Sequence, residues 1–388
     1  MRRSPTLARQ IVKLSSIICH NTAPDAEAGS WHGSGVVVVP ILQSEESPTV
    51  LKAIFPALTA VALIAGAASS AQAGTIETIK QRGQLACGVN TGNPGFAQPD
   101  SKGVYTGFEI DQCRAVAAAI TGKADNVKYV PLTSQNRFTA LQSGEVDMLA
   151  RSATWSLTRE STLNLAFPVV TFYDGQAFMV TKKSGVKSAK ALKAATVCAL
   201  TGSTSELNLA DFSRANKLDI KPVSYDSLDG ARDSFLGGRC DAYTTDMSGL
   251  AATRAAIANP DDYVILPEVI SKEPISVAVR QDDPAFLHAV RWTMYAMIEA
   301  EELGITAATV DEHMKDANPE TKRLLGVTPG LGTSMGLSDT WAADAIRQVG
   351  NYGESFERNI GTKTPLKLER GLNDLWSKGG LIYAPPFR

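Results

Sequence analysis

The chain has 388 residues, of which 44% are hydrophobic and 20% charged, and its formal net charge is −2. This is the composition of an ordinary soluble protein of two or three domains, large enough to bury a core without a metal or a disulfide. The near-neutral charge argues against nucleic acid as the main partner, because such proteins carry a basic face.

Residues 1–49 contain Pro, Ser, Gly and scattered charges with little periodicity, and no fold is expected of them. Residues 50–73 have the layout of a secretory signal peptide: a cation at Lys52, an apolar run from Ile54 to about Ala68, and a small-x-small site at Ala71-Gln72-Ala73. The apolar run falls short of the roughly 20 residues that a membrane-spanning helix needs. A buried Ala-rich helix is the bland alternative. The signal peptide's internal position implies a mis-assigned start, with the true start near Val50 and a mature chain from Gly74. The pair Arg2-Arg3 is too far from the apolar run to make a twin-arginine signal. The expected destination is therefore the periplasm. Cys19 falls in the removed part, leaving Cys87, Cys113, Cys198 and Cys240. Four cysteines in an oxidising compartment allow two disulfides in three connectivities, with four buried free thiols as the alternative. No CxxC pair is present, and neither a metal nor a cofactor is expected.

In the mature chain, residues 84–89 read as a buried strand, 90–107 as a Gly/Pro-rich loop and 110–120 as a helix. Residues 127–130 form a second strand, Ser134 or Asn136 caps a helix ending at Ser143-Gly144, and 146–150 form a third strand. The plan then recurs, with strands at 195–200, 220–223 and 240–244 and helices after Gly202 and over 229–236. The stretches ALQSGEVD (140–147) and SFLGGRCD (234–241), about 94 positions apart, both read as helix end, Gly, two residues, Asp, strand. Strands alternating with helices give βαβ units. The expectation is a two-lobed α/β protein: lobe one over 74–180, lobe two over 181–274, and a return to lobe one plus a helical C-terminal extension over 275–388. The chain is expected to cross between lobes on 176–181 and to return on 274–280, making a two-strand hinge. Helices are expected at 285–303, 310–314, 338–352 and 373–376, with a loop at 326–336.

Chemistry concentrates where strands open into a cleft. ARSATWSLTRE (150–160) offers Ser152, Thr154, Ser156 and Thr158 with Arg151 and Arg159, and an Arg fork suits a carboxylate. Asp246 lies five residues after Asp241, as Ser152 lies five after Asp147, and a carboxylate there can hold an ammonium group. Gly202-Ser203-Thr204-Ser205 opens a helix whose N–H groups and hydroxyls favour an anion. Each feature alone is also capping or turn chemistry; together they suit a zwitterion.

The phrases GQLACGV (83–89), GFEIDQCRAV (107–116), FYDGQAFMV (172–180) and RCDAYTTD (239–246) are where the chain resembles a known family. They are similar to the periplasmic amino-acid-binding proteins of ABC importers, solute-binding protein family 3, within the general L-amino-acid-binding branch of the Aap/Bzt type. The resemblance covers residues 74–388. It implies a type II periplasmic-binding fold with the ligand between two lobes, an L-amino acid as ligand, membrane permease subunits of the transporter as partner, and a monomer. It also implies that Thr154 and Arg159, with Ser152, take the ligand carboxylate; that Asp246 takes the ammonium; that Ser203 and Thr204 contribute hydroxyls; and that Phe96 covers the ligand. The pairings Cys87–Cys113 and Cys198–Cys240 are implied in the same way. Arg151 stands where many members have a small residue. A competing expectation is a periplasmic enzyme on the same scaffold, such as a dehydratase of a small carboxylate. It needs a general acid or base in the cleft, and His288 and His313 fall in the tail helices. A receptor's sensor domain is weaker still, since no apolar span follows the lobes.

Overall fold

The structure is a computed structural model that describes residues 74–388. The upstream stretch and the signal peptide expected over 1–49 and 50–73 lie outside the described residues.

The chain opens with α1 (Thr75–Arg82) and β1 (Leu85–Asn90), followed by a short antiparallel ribbon of β2 (Gln98–Pro99) and β3 (Tyr105–Thr106). Then come α2 (Phe108–Thr121), β4 (Val127–Leu132), α3 (Arg137–Gln142), β5 (Met148–Thr154), α4 (Leu157–Ser161), β6 (Leu165–Ala166) and β7 (Val170–Asp174). A second set follows: β8 (Gln176–Thr181), β9 (Thr196–Leu200), α5 (Thr204–Asn216), β10 (Lys221–Tyr225), α6 (Leu228–Leu236), β11 (Ala242–Asp246), α7 (Met247–Ala256) and β12 (Tyr263–Ile265). The chain returns on β13 (Glu273–Arg280) and ends in α8 (Pro284–Glu302), α9 (Val310–His313), α10 (Pro319–Leu324), α11 (Leu331–Ser334), α12 (Trp341–Val349) and α13 (Tyr352–Asn359).

Two sheets result. The first runs β4-β1-β5-β13-β6, with β7 also on β13; the second runs β10-β9-β11-β8-β12. In each, the three strands of the repeated plan are parallel, and the strands that enter from the other lobe are antiparallel. The repeat extends to side chains. Gly144 and Gly238 both take φ near +76° after their helices (77° and 76°), a left-handed conformation that costs glycine little. Asp147 Oδ2 then accepts the Ala86 N–H at the start of β1, and Asp241 Oδ2 the Thr196 N–H at the start of β9, each at 2.7 Å. The spacing of Gly and Asp thus sets the register of each lobe's central strand. Disulfides join Cys87 to Cys113, tying β1 to α2, and Cys198 to Cys240, tying β9 to the approach to β11.

The two strands expected to form the hinge are built into the sheets rather than spanning between them. β8 lies between β11 and β12, and β13 between β5 and β6, with most residues of both buried. Buried apolar strands find hydrogen-bond partners on both sides, so the crossing falls instead on the single Gly175 and, on the return, on residues 266–272.

The C-terminal helices complete the first lobe's core. α2 is buried almost all round because α8 and α12 pack on it, which explains why its sequence shows little amphipathic pattern. The helix expected over 338–352 ends at Gly350 (φ 96°) and restarts as α13 through an Asn351/Glu354 capping box. The expected loop contains the one-turn α11, and residues 373–376 are not one helix: Asn373 ends a 3-10 turn over Gly371–Asn373 and Trp376 begins another over Trp376–Lys378.

Candidate ligand-binding site

The C-terminal ends of the parallel strands of both sheets meet around one cavity. Its first-lobe wall carries Asn90, Asn93, Ser134, Arg137, Arg151 and Ser152; its second-lobe wall carries Ser203, Thr204, Asp229, Arg232, Thr245 and Asp246. The enclosed space is about 60 Å³, well below the roughly 300–1,000 Å³ of a small-molecule site, so the lobes are drawn tightly together.

On the first lobe, β5 is kinked where it reaches the cavity. Ser152 has φ 40°, unusual for a residue with a Cβ, and its N–H is donated to the Glu109 carboxylate instead of a neighbouring strand. Thr154, at the end of β5, and Arg159, in the first turns of α4, follow. Ser156 caps α4 by accepting the Arg159 N–H at 3.4 Å, and Arg159 Nη1 returns to the Thr154 carbonyl at 2.7 Å. The guanidinium lies 4.9 Å from the Phe138 ring centroid, so packing fixes its plane. On the second lobe, Ser203 caps α5 by accepting the Glu206 N–H and anchors itself to the Leu200 carbonyl at 2.5 Å. Thr204 Oγ1 then faces Thr154 Oγ1 across the cleft at 3.4 Å. Asp246 ends β11, where the helix α7 begins.

Of the residues expected from sequence, Ser152, Ser203, Thr204 and Asp246 line the cavity. Thr154 and Arg159 stand immediately behind it, joined to Thr204 at the interlobe contact. Phe96 does not reach it. The ring is 3% exposed and packs edge-on against Phe108 and Phe172 in the first lobe's core. The physical reason is a turn: the Asn93 carbonyl accepts the N–H groups of both Phe96 and Ala97, which folds Phe96 inward and leaves Gly92, Asn93 and Pro94 on the cavity.

Sequence reasoning missed Arg137 altogether, and it offered Arg151 only as one of two guanidinium groups in the 150–160 segment. Arg137 is 3% exposed; its Nη1 takes Ser134 Oγ at 3.3 Å, while its Nε has no hydrogen-bond partner. Arg151 Nε donates to the Leu132 carbonyl at 2.9 Å. Burial pulls both guanidinium groups down, Arg151 to about 10, and the neighbouring arginines deepen the fall. The detectable signal was polar: Arg137 follows Ser134 and Asn136 at the end of β4, the same topological position as the other site residues.

Burial also raises the carboxyls. Asp246 is held well above the usual carboxylate range by burial and by the nearby Asp174 and Glu273, against the pull of Arg137 and Arg159. Burial pushes Asp174 up to about 6 and also raises Glu109, although Glu109 accepts the Ser152 N–H and faces Arg151 and Arg137. The cavity thus gathers guanidinium groups from both walls, Arg137 and Arg151 on the first lobe and Arg232 on the second, around a carboxyl at Asp246 that resists ionisation.

This fold and cleft define a two-lobed ligand-binding protein. Residues 85–308 match the bacterial extracellular solute-binding proteins, family 3, and the chain belongs to that family. It is similar to the "General L-amino acid-binding periplasmic protein AapJ" of Rhizobium johnstonii, 50% identical over 337 residues that cover 86% of this chain and 99% of the relative. It is also similar to the "Glutamate/glutamine/aspartate/asparagine-binding protein BztA" of Rhodobacter capsulatus, 52% identical over 337 residues, 87% of this chain and 99% of that one. Among solved structures it resembles a periplasmic binding protein of an ABC transporter from Brucella ovis with glutathione bound, at 52% identity and a TM-score of 0.79, over 81% of this chain and all of the other.

Proposed function

We propose that this protein is the periplasmic substrate-binding component of an ABC importer for L-amino acids, with a preference for acidic side chains and their amides. The carrying observation is the meeting of Thr154 and Thr204 hydroxyls at 3.4 Å across the cleft, with Arg159 behind them and Asp246 on the facing wall. In this reading Ser152, Thr154, Arg159, Ser203 and Thr204 take the α-carboxylate and Asp246 takes the ammonium. Arg137 and Arg151 receive the far end of the side chain, and the glutamate and aspartate in BztA's name fit that end. The cavity's size requires the lobes to part for entry and close on the ligand. The closed form docks on membrane permease subunits as a monomer, after export and cleavage between Ala73 and Gly74. The cleavage reading is supported by the small-x-small site just upstream of α1, whose Thr75 N–H is already anchored to Asp283 Oδ2 at 2.7 Å.

Binding without turnover is part of the proposal. His288 and His313 sit on α8 and α9 and neither lines the cavity. Calorimetry of residues 74–388 against the common L-amino acids is the test. We expect glutamate and aspartate to bind more tightly than lysine or arginine and to be recovered unchanged. A protein that binds none of them, or that converts what it binds, defeats the reading.

A further inference from the structure

Glu273, the first residue of β13, is 1% exposed, yet its carboxylate accepts four hydrogen bonds. Thr154 Oγ1 donates to Oε2 at 2.5 Å, and Thr204 Oγ1 donates to the same oxygen at 2.9 Å. Asn208 Nδ2 donates to Oε1 at 2.8 Å and Ser271 Oγ at 2.6 Å. One donor belongs to the first lobe, two to α5 of the second, and one to the return link. A single carboxylate therefore ties both lobes together at the hinge.

The two donors on Oε2 are the hydroxyls that face each other across the cleft. A hydroxyl has one proton to donate, and in this geometry both protons are committed to Glu273. Arg159 responds to the same group, since the Glu273 charge pulls its guanidinium up against the lowering effect of burial. Glu273 thus supplies to Thr154 and Thr204 what an amino acid's carboxylate would supply, a planar anion that accepts from both hydroxyls, and its charge reaches the Arg159 guanidinium beyond them.

We propose that Glu273 is an internal stand-in for the ligand's carboxylate, an interlobe latch that engages Thr154 and Thr204, steadies the shut cleft and competes with an incoming amino acid for both hydroxyls. This rests on the reading of Thr154, Arg159 and Thr204 as the carboxylate site. Two consequences are linked. A latch that stabilises a shut cleft holding no amino acid lowers apparent affinity in proportion to that state's population. Removing it therefore opens the cleft and tightens binding together. A residue that merely braces the hinge would open the cleft and weaken binding.

The experiment uses residues 74–388 with Glu273→Gln and Glu273→Ala. The Gln variant keeps the side chain's shape and one acceptor, so it carries the test where the Ala variant fails to fold. The distance between spin labels on the exposed Lys128 and Lys221, one on each lobe, is measured without amino acid, and L-glutamate affinity is measured by calorimetry. We expect a wider, more open distance distribution, and binding tighter by about tenfold, the scale of one hydrogen bond to a charged group. An unchanged distribution, or equal or weaker affinity in a folded variant, overturns the proposal. A wild-type protein that binds no amino acid overturns the functional reading instead, and the distance measurement alone then decides whether Glu273 latches the lobes.

Discussion

Arg159 shows how far a single residue can be read. The sequence places it five positions after Thr154, and the structure explains that spacing. α4 starts within those five residues, so its first turns bring the guanidinium back to the Thr154 carbonyl at 2.7 Å. In the proposed reading Arg159→Ala removes a charge-assisted contact to the ligand carboxylate, worth roughly 1.5–3 kcal/mol, and calorimetry should show amino-acid affinity falling about 10–100-fold. Arg159→Lys should recover little of it, because an ammonium lacks the planar fork that Phe138 holds in place. Asp246 gives a second prediction. Its folded-state carboxyl is raised by burial and by Asp174 and Glu273, so the protonated form is favoured in the shut cleft. An ammonium partner needs the ionised form. Affinity should therefore be full at pH values above the raised range and decline as pH falls through it, with Asp174, raised to about 6, titrating nearby. Glutamate titrations from pH 8 to pH 4 check this; affinity that strengthens toward acid contradicts the role given to Asp246. Phe96 and Arg137 mark where residue-scale reading failed. Their side chains are aimed by a turn at Asn93 and by the end of β4, and neither direction is written in residue type or spacing.

At the scale of elements, the repeated strand–helix plan was legible because each lobe uses the same punctuation: a left-handed Gly after a helix, then an Asp on the neighbouring strand's first N–H. The tail was less legible. α12 has a clear apolar stripe, but α13 hides behind Gly350, and the purpose of both depends on α2, more than 200 positions earlier. In the structure Trp341, Ala345, Ile346 and Val349 of α12 are all buried against the first lobe, and the Trp341 ring stacks with Phe387 near the chain's end. Asn373 goes further, exchanging hydrogen bonds with both the N–H (2.6 Å) and the C=O (3.0 Å) of Tyr173 on β7. The extension is therefore part of the lobe's core and not an appendage. Trp341→Ala should cost about 3–5 kcal/mol, the scale of a buried large-to-small change. Denaturant unfolding should show the loss as a lower midpoint, while amino-acid affinity of the folded protein stays close to wild type because α12 packs chiefly on α2 and α8. A midpoint within experimental error of wild type would show the extension to be peripheral.

Over the whole molecule, the two lobes are joined by very little chain. The crossing strands were recognisable as apolar and strand-like, but a sequence cannot say whether such a strand bridges two sheets or completes one. Here β8 and β13 each complete a sheet, and the outward crossing falls on Gly175 alone. That position has a steric requirement. A Cβ there would lie inside contact distance of Val269 Cγ1 and 3.0 Å from the Ser271 carbonyl oxygen, both on the returning link. The side chain of Val269 is half exposed and can turn away, but the Ser271 carbonyl is backbone, in the residue whose hydroxyl donates to Glu273. Gly175→Ala should therefore wedge the two links apart at the point where the lobes pivot. The strain falls on the shut arrangement, in which Thr154 and Thr204 meet, and is relieved as the lobes separate. The expected outcome is a folded protein with a wider interlobe distance, weaker amino-acid binding and a faster ligand off-rate, since a strained closed complex reopens more readily. Stopped-flow dissociation and small-angle scattering read the two effects independently. Equal affinity and unchanged dimensions would mean that Val269 absorbs the methyl group and that the pivot lies elsewhere.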